Sequence, residues 1–364
     1  MNKKVIIAFL GNAKFDARCI NMADSLLDHG YKVILIDELA VGESGLKSNR
    51  FKIFHTRARY KSGIARYWGF YRKVKKLNDE VKPNVFIASD LFSLGVLSRL
   101  NKNCLKIYDC REIYSKLASL INNPIKQLFW AYYEKKNYKY VDKVLVTARK
   151  DKDFLISRYG LKDISLILNF PSINSEKPTI NLREKFNIAK NKKIFLYQGA
   201  IQAGRGIEEM IALLSHFENS VVCIVGDGEH KQQVIKLINK LNIVNRVFFT
   251  GNIAYKKLIG VSKQADIGFS LIQPLSKSYK QALPNKLFEY GLAGIPTIAS
   301  DFSEIKDYIL KFKLGKAVAP NNMSEHIEAV NELLKWNNSK VLIENVKNNC
   351  SWHSQEQKFI ELLN

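Results

Sequence analysis

Val5-Ile6-Ile7-Ala8-Phe9-Leu10 runs directly into Gly11-Asn12. A stretch that predicts a helix from about Ala17 to His29 follows, closed by Gly30, and then a second apolar stretch, Lys32 to Ile36. Short apolar runs without alternation read as strands buried on both faces, and strand, helix, strand in that order is a βαβ unit, so the sheet is expected to be parallel. The opening run imitates the core of a signal peptide, but Gly11, Lys14, Asp16 and Arg18 end it too soon. No later run approaches the ~18 apolar residues that a membrane span needs. The expectation is a cytoplasmic chain, peripheral on the inner face of a membrane where it meets one.

The same alternation continues outward. Val85–Ala88, Lys106–Tyr108 and Lys143–Val146 read as further strands, each beside a helical stretch. Asn169 to Lys177, with Pro171 and Pro178 at its edges, breaks the pattern as a linker would. Strands then recur at Ile194–Gln198, Val221–Val225, Val247–Thr250, Ile267–Ser270, Thr297–Ala299 and Lys316–Val318. Helices fall near 206–216, 229–241, 255–264, 285–293, 303–311 and 323–336. With 364 residues and roughly 100–200 residues per domain, the reading is α/β: two doubly wound, Rossmann-like parallel-sheet domains, 1–170 and 178–350, facing a cleft. Ligands of such sheets bind outside the carboxyl ends of the strands. No fixed-period repeat is visible.

Composition narrows the function classes. Apolar residues at 46% and charged residues at 25% are globular values and exclude wholesale disorder. Five cysteines (Cys19, Cys104, Cys110, Cys223, Cys350), odd in number and without a C-x-x-C pair, argue against a disulfide scaffold or zinc knuckle. The net charge of +23 is uneven: residues 1–170 hold 32 Lys/Arg against 16 Asp/Glu, and the rest holds 25 against 18. Residues 50–76 contain ten basic residues (Arg50, Lys52, Arg57, Arg59, Lys61, Arg66, Arg72, Lys73, Lys75, Lys76), no acidic one, and seven aromatics that include Tyr67, Trp68 and Tyr71. A second cluster, Lys126 to Tyr140, mixes Phe129, Trp130, Tyr132 and Tyr133 with Lys135, Lys136 and Lys139. Three partners compete for such a mixture. One is plain solvent over an aromatic core. The second is nucleic acid, through phosphate contacts and base stacking. The third is an anionic membrane, where each Lys or Arg contributes about 1 kcal/mol and Trp and Tyr favour the interface. The absence of acids favours a polyanion over solvent, and two doubly wound ligand-binding domains leave nucleic acid no evident purpose.

Three strings carry chemistry in the second half. In Pro284-Asn-Lys286-Leu287-Phe-Glu289-Tyr-Gly291, helical spacing puts Lys286 and Glu289 on one face near a helix start. There a cation and free N–H groups suit a phosphate, and a carboxylate suits sugar hydroxyls. In Tyr197-Gln198-Gly199 through Gly204-Arg205-Gly206, a strand passes through a glycine-rich loop into a helix, with Arg205 placed for bidentate phosphate contact. Val225-Gly226-Asp227-Gly228-Glu229 repeats the strand-to-helix passage. In the first half, Gly11, Asp16 and Arg18, then Asp90, then Asp109-Cys-Arg111-Glu112 all fall after strands. Asp90 and Asp109 read equally well as helix caps, and Asp16 and Arg18 as a local pair. The six histidines show no H-x-x-x-H spacing, and no metal-ligand set, G-x-S-x-G or Walker A string occurs.

Taken together, these strings resemble glycosyltransferase family 4, nucleotide-sugar enzymes of the GT-B fold, over nearly the whole chain. Gly199 through Gly206, Gly226-Asp227-Gly228 and Pro284 through Ser300 look like the donor domain. Asp16-Ala-Arg18, Asp90 and Asp109 to Glu112 look like acceptor-domain motifs. Ser351-Trp352 through Glu356 looks like the start of a final helix, 351–364, that crosses back onto the first domain. The resemblance implies a retaining hexosyltransferase whose catalytic residues are Arg205, Lys286, Glu289 and Gln281. Gly11, Gly199, Gly204, Gly226, Asp227, Gly228 and Leu287 would join Arg205, Lys286 and Glu289 around the nucleotide. Asp16, Arg18, Asp90, Asp109, Arg111 and Glu112 would lie on the acceptor side. The donor would be a UDP- or GDP-sugar, a substrate rather than a cofactor, with no cofactor and no metal. The acceptor would be a saccharide, lipid-linked, in the assembly of a bacterial-type surface polysaccharide or glycoconjugate, with 50–76 on an anionic membrane surface. Three positions depart from the family pattern. Gln281 stands where the first of two glutamates is usual, Ala200 where arginine is common, and Arg111 where histidine is common. The alternatives are a GT-B-fold sugar-nucleotide epimerase and an inactive protein that binds a polyanion or membrane.

Overall fold

All seven strands of the first sheet run parallel, in the order β3-β2-β1-β4-β5-β6-β7. They are β1 (Lys4–Ala8), β2 (Lys32–Leu39), β3 (Lys52–Arg57), β4 (Val85–Ala88), β5 (Leu105–Cys110), β6 (Lys143–Val146) and β7 (Ile164–Leu166). The second sheet, also parallel, has the order β10-β9-β8-β11-β12-β13. Its strands are β8 (Lys193–Gln198), β9 (Ser220–Val225), β10 (Val247–Gly251), β11 (Ile267–Ser270), β12 (Thr297–Ser300) and β13 (Gly315–Val318). The computed structural model describes residues 3–57, 63–116, 120, 123–160, 163–173, 177–178 and 180–363. Arg59, Tyr60 and Lys61 of the basic stretch, and residues 174–176 of the linker, lie outside them. The chain divides into two compact units, Met1–Asn169 with Gln355–Asn364, and Phe170–Ser354.

Helices cover the sheets. In the first unit they are α1 (Ala17–Asp28), α2 (Ile64–Val81), α3 (Leu91–Leu94), α4 (Pro124–Tyr138) and α5 (Arg149–Tyr159). Next come α6 (Leu182–Lys185), α7 (Ile207–Ala212), α8 (Lys231–Lys240), α9 (Tyr255–Ser262), α10 (Lys277–Lys280), α11 (Lys286–Ala293), α12 (Ser303–Phe312), α13 (Met323–Leu333) and α14 (Ser339–Asn349). The last, α15 (His353–Glu361), returns to the first unit. Gln355 holds the Leu168 backbone, its Oε1 accepting from Leu168 N at 2.8 Å, and Lys143 Nζ donates to Leu362 O at 2.8 Å.

Burial on both faces explains the runs that the sequence shows. Val5, Ile6, Ile7 and Ala8 are all fully buried, as are Phe86, Ile87 and Ala88 of the neighbouring β4, and each large aliphatic side chain so buried contributes about 1.5–3 kcal/mol. The sequence reading passed over two edge strands, β3 and β7. In β3 only Thr56 is buried and Phe54 is 43% exposed, so no hydrophobic period marks the strand. In both sheets the strand order reverses direction once, between β1 and β4 and between β8 and β11. A crevice for ligands forms at the carboxyl ends of strands at such a switch point.

One buried acid lies off this path. Glu134 on α4 is fully buried and accepts from Tyr108 Oη (3.0 Å) and Tyr159 Oη (3.1 Å). Burial pushes its carboxyl up to about 7 against the pull of these hydroxyls. A raised folded-state value means that the stabilising, protonated form is fully present below the unfolded value and is lost as pH rises through about 7. Glu134→Gln should therefore remove its own share, roughly 3 kcal/mol, of the stability lost between pH 5 and 8. Urea midpoints at the two pH values check this, and an unchanged difference refutes it.

Candidate active site

The second unit gathers its candidate residues around the ends of β8 and β9 and the start of α11. Lys286 occupies the first position of α11, with Nζ 3.8 Å from the centre of the Tyr197 ring. A Cβ built on Gly199 would lie 3.5 Å from the same ammonium, so the lysine reaches the carboxyl end of β8. Its pKa is held well below the ordinary lysine value, by burial first and by the charge of Arg205 second, with Glu289 pulling the other way. Arg205, at the end of the glycine-rich loop, has its guanidinium 4.6 Å from the Tyr279 ring centre and donates from Nη2 to Gln202 Oε1 at 3.2 Å. Two cations thus share one partly buried region, each resting on an aromatic face.

Glu289 is 6% exposed and accepts from the Gln198 side-chain amide. Gln198 Oε1 in turn accepts from Ser262 Oγ at 2.6 Å. Burial raises the Glu289 carboxyl to about 7, opposed by Gln198 and Lys286. The surface i, i+3 ion pair with Lys286 that helical spacing permits is not what forms: the lysine turns to Tyr197 and the glutamate to Gln198. Leu287 is fully buried, and its amide donates to Pro284 O at 3.2 Å. Gln281 is half-buried in the turn before α11.

Several glycines serve the backbone. A Cβ on Gly226 would sit 2.0 Å from Gly199 O, and φ there is +143°. The two loops after β8 and β9 therefore pack main chain on main chain, which only glycine allows. Gly206, with φ +73°, caps α7 where a Cβ would meet Leu271 O at 1.9 Å. Gly204 packs on Leu275, and Gly228 on the Ile201 backbone. Asp227 is exposed and pairs with Lys231 at 3.2 Å.

In the first unit, four charged residues form one network. Arg18, on α1, is fully buried and places Nε 2.9 Å from both oxygens of Asp109, with Nη1 2.7 Å from Ile167 O. Arg111 joins Asp109 (3.0 Å) to Asp16 (2.6 Å), and its guanidinium lies 4.8 Å from the Phe9 ring centre. Burial alone would raise Asp109, but Arg18 and Arg111 outweigh it and hold its carboxyl below the usual range. Asp16 also caps α1 by accepting from Cys19 N at 2.7 Å. The local pairing of Asp16 with Arg18 is thus replaced by a crossed one, and Asp109 is no helix cap but a strand residue at the centre of the network. Asp90 is a cap, accepting from Ser93 N at 2.7 Å, and it also accepts from Leu10 N. Gly11 lies beside it in the loop after β1, and Glu112 is exposed.

Sequence reading did not single out Gln198, Ser262, Tyr197 or Tyr279 for a role. Their only signal was position: Tyr197 and Gln198 immediately precede the glycine loop, and an aromatic near a loop cation is uninformative until the fold brings the two together.

Residues 178–349 match the family described as Glycosyl transferases group 1. Transferase activity follows for the chain. An uncharacterized glycosyltransferase of Methanocaldococcus jannaschii is 24% identical over 316 residues, 81% of this chain and 77% of that one. Sucrose-phosphate synthase from Thermosynechococcus elongatus superposes with a TM-score of 0.80 at 16% identity, over 99% of this chain and 98% of that chain. HepE of Anabaena, solved with UDP and glucose, superposes with a TM-score of 0.73 at 15% identity, over 100% and 99% of the two chains. The two parallel sheets of this glycosyltransferase are those of the GT-B fold.

Proposed function

We propose that this chain is a retaining glycosyltransferase. It moves a sugar from a UDP- or GDP-sugar to a lipid-linked saccharide at the inner face of a membrane, in the assembly of a surface polysaccharide or glycoconjugate. The observation that carries the donor half is the pair Arg205 and Lys286: two cations near enough that one depresses the pKa of the other. A diphosphate supplies the counter-charge to both. In transfer, the bond from the anomeric carbon to the departing phosphate oxygen breaks, and the two cations and the α11 N-terminus offset the growing charge. The acceptor oxygen bonds to the anomeric carbon on the same face, and its proton passes to that phosphate oxygen. Retention without a covalent intermediate fits Glu289, whose carboxylate is engaged by Gln198.

For the acceptor half, the fold changes what the basic stretch offers. Its lack of acids is local to the sequence: Arg50 pairs with Asp24 and Asp28, Arg66 with Glu38, and Lys75 and Lys76 stand 4.0 Å from Asp79 and Glu80. Trp68, 56% exposed, and Arg72, 5.9 Å from its ring centre, remain outward on α2. They are the part of 50–76 that best supports a membrane face.

The decisive experiment measures consumption of UDP- and GDP-sugars with and without a lipid-linked saccharide. Consumption that depends on the acceptor supports transfer. Consumption without it supports the epimerase alternative, and none with any donor supports an inactive binding protein. Within the same series, Glu289→Ala should weaken binding of the bare nucleoside diphosphate more than Gln281→Ala, because it also strands the Gln198 amide. Titration calorimetry on both variants checks this, and equal affinities count against Glu289 at the nucleotide.

A further inference from the structure

The two basic-aromatic stretches, about sixty residues apart in sequence, meet in one place. Between α2, α4 and the 3-10 turn Gly95–Arg99 lies a cavity of about 540 Å³, within the ~300–1,000 Å³ range of small-molecule sites. Its wall is a run of touching rings: Tyr67 on Phe92 (4.1 Å between centroids), Phe92 on Trp130 (5.4 Å) and Trp130 on Tyr133 (5.8 Å). Gly95 makes room for the Tyr133 hydroxyl, since a Cβ there would lie 2.2 Å from it. Two of the lining's polar side chains are already engaged. Ser98 Oγ donates to Gly95 O at 2.9 Å and Asn137 Nδ2 to Tyr133 O at 2.8 Å. The stacked and edge-on rings give a hydrocarbon chain a continuous apolar wall to lie against. Among the described residues the lining holds two cations, Arg99 and Lys136, and no acid.

Helix α4 adds a second observation. Its inward face carries Ala131, Glu134 and Tyr138, yet Ile125 (79% exposed), Leu128 (68%), Phe129 (49%) and Tyr132 (65%) form an outward stripe at i, i+3, i+4 and i+7. An outward apolar stripe beside Lys126, Lys135 and Lys136 is the pattern of a helix lying in a lipid interface. Phe129 and Lys136 belong to both the α4 surface and the cavity lining.

We infer that this cavity takes one hydrocarbon chain of a lipid phosphate, with the phosphate against Arg99 and Lys136. The inference rests on the lipid-linked acceptor proposed above and assigns the place where the carrier's chain is held. Each methylene withdrawn from water there contributes about 0.8 kcal/mol, and the rings form a ready-made wall for it.

The test uses a brominated dodecyl phosphate, alongside its trimethylammonium analogue and inorganic phosphate, on a Trp68→Phe background. Trp68 is 56% exposed and bromine would reach it from outside, so quenching then reports on Trp130 in the cavity wall. Saturable quenching by the phosphate amphiphile is expected. It should weaken roughly tenfold or more in Ser98→Phe, which fills the cavity, and in the Arg99→Glu/Lys136→Glu double variant, which reverses its charge. Equal quenching in the Trp68→Phe protein and both variants, or by the cationic analogue, overturns the inference. Co-sedimentation with anionic vesicles, run in parallel, separates the two readings. Sedimentation of wild type without quenching overturns the cavity and leaves the membrane. Quenching without sedimentation supports the cavity and removes the membrane.

Discussion

Lys286→Ala should lower sugar transfer by on the order of 10²-fold or more, and Arg205→Ala by a comparable factor, with the fold intact. Neither side chain holds the unit together: Lys286 rests on Tyr197, and Arg205 on Tyr279 and Gln202. Both supply positive charge where the leaving diphosphate becomes more negative. Their coupling gives a second readout. Arg205 depresses the Lys286 pKa, so removing Arg205 should let Lys286 keep its proton to higher pH. The alkaline fall in activity should then shift upward in Arg205→Ala. Turnover against pH with saturating donor, checked by thermal melting of each variant, measures both effects. Near wild-type activity in either variant takes that residue out of the site.

Arg18→Ala should destabilise the first unit by somewhat less than the ~3–5 kcal/mol of a buried charge left wholly unpaired, because Arg111 still faces Asp109 at 3.0 Å. Arg18 and Asp109 are both fully buried, and Arg18 is the side chain that bridges Asp109 to the Ile167 carbonyl. Replacing both ends of the pair, as in Arg18→Met with Asp109→Leu, should cost less than the single change, because no bare charge remains. The depressed Asp109 carboxyl also fixes a sign. Its stabilisation is present above the ordinary carboxylate value and is lost as pH falls through the lower, folded value. Arg18→Ala should therefore flatten the acid limb of the stability curve as well as lower it. Urea unfolding followed by tryptophan fluorescence from pH 2 to 7 decides. A variant as stable as wild type would mean that the network is not structural.

By itself, the sequence determined the parallel-sheet architecture and most element positions. Val85–Ala88, Lys143–Val146 and Ile267–Ser270 are strands with the bounds read from the chain. Strands covered on both faces must be short unbroken apolar runs, and that signal is local. Helix α11 was equally legible, because Gly294 closes it with φ +77°. The strings at Gly199, Gly226 and Lys286 located the candidate donor residues for the same reason: each is a contiguous strand end or helix start. Only the tertiary structure decided which charges meet. Arg18 stands two residues from Asp16 but pairs with Asp109, 91 positions away, because neighbours two apart on a helix point in different directions. The crossovers of the 3-2-1-4-5 strand order also bring β5 within reach of α1. In the same way Asp24, Asp28 and Glu38 answer a basic stretch that looked free of acids. Lys286 and Glu289 part company for Tyr197 and Gln198, and the rings of α2 and α4 close on one cavity. Such contacts depend on how distant elements are wound together, and no local period or spacing encodes that.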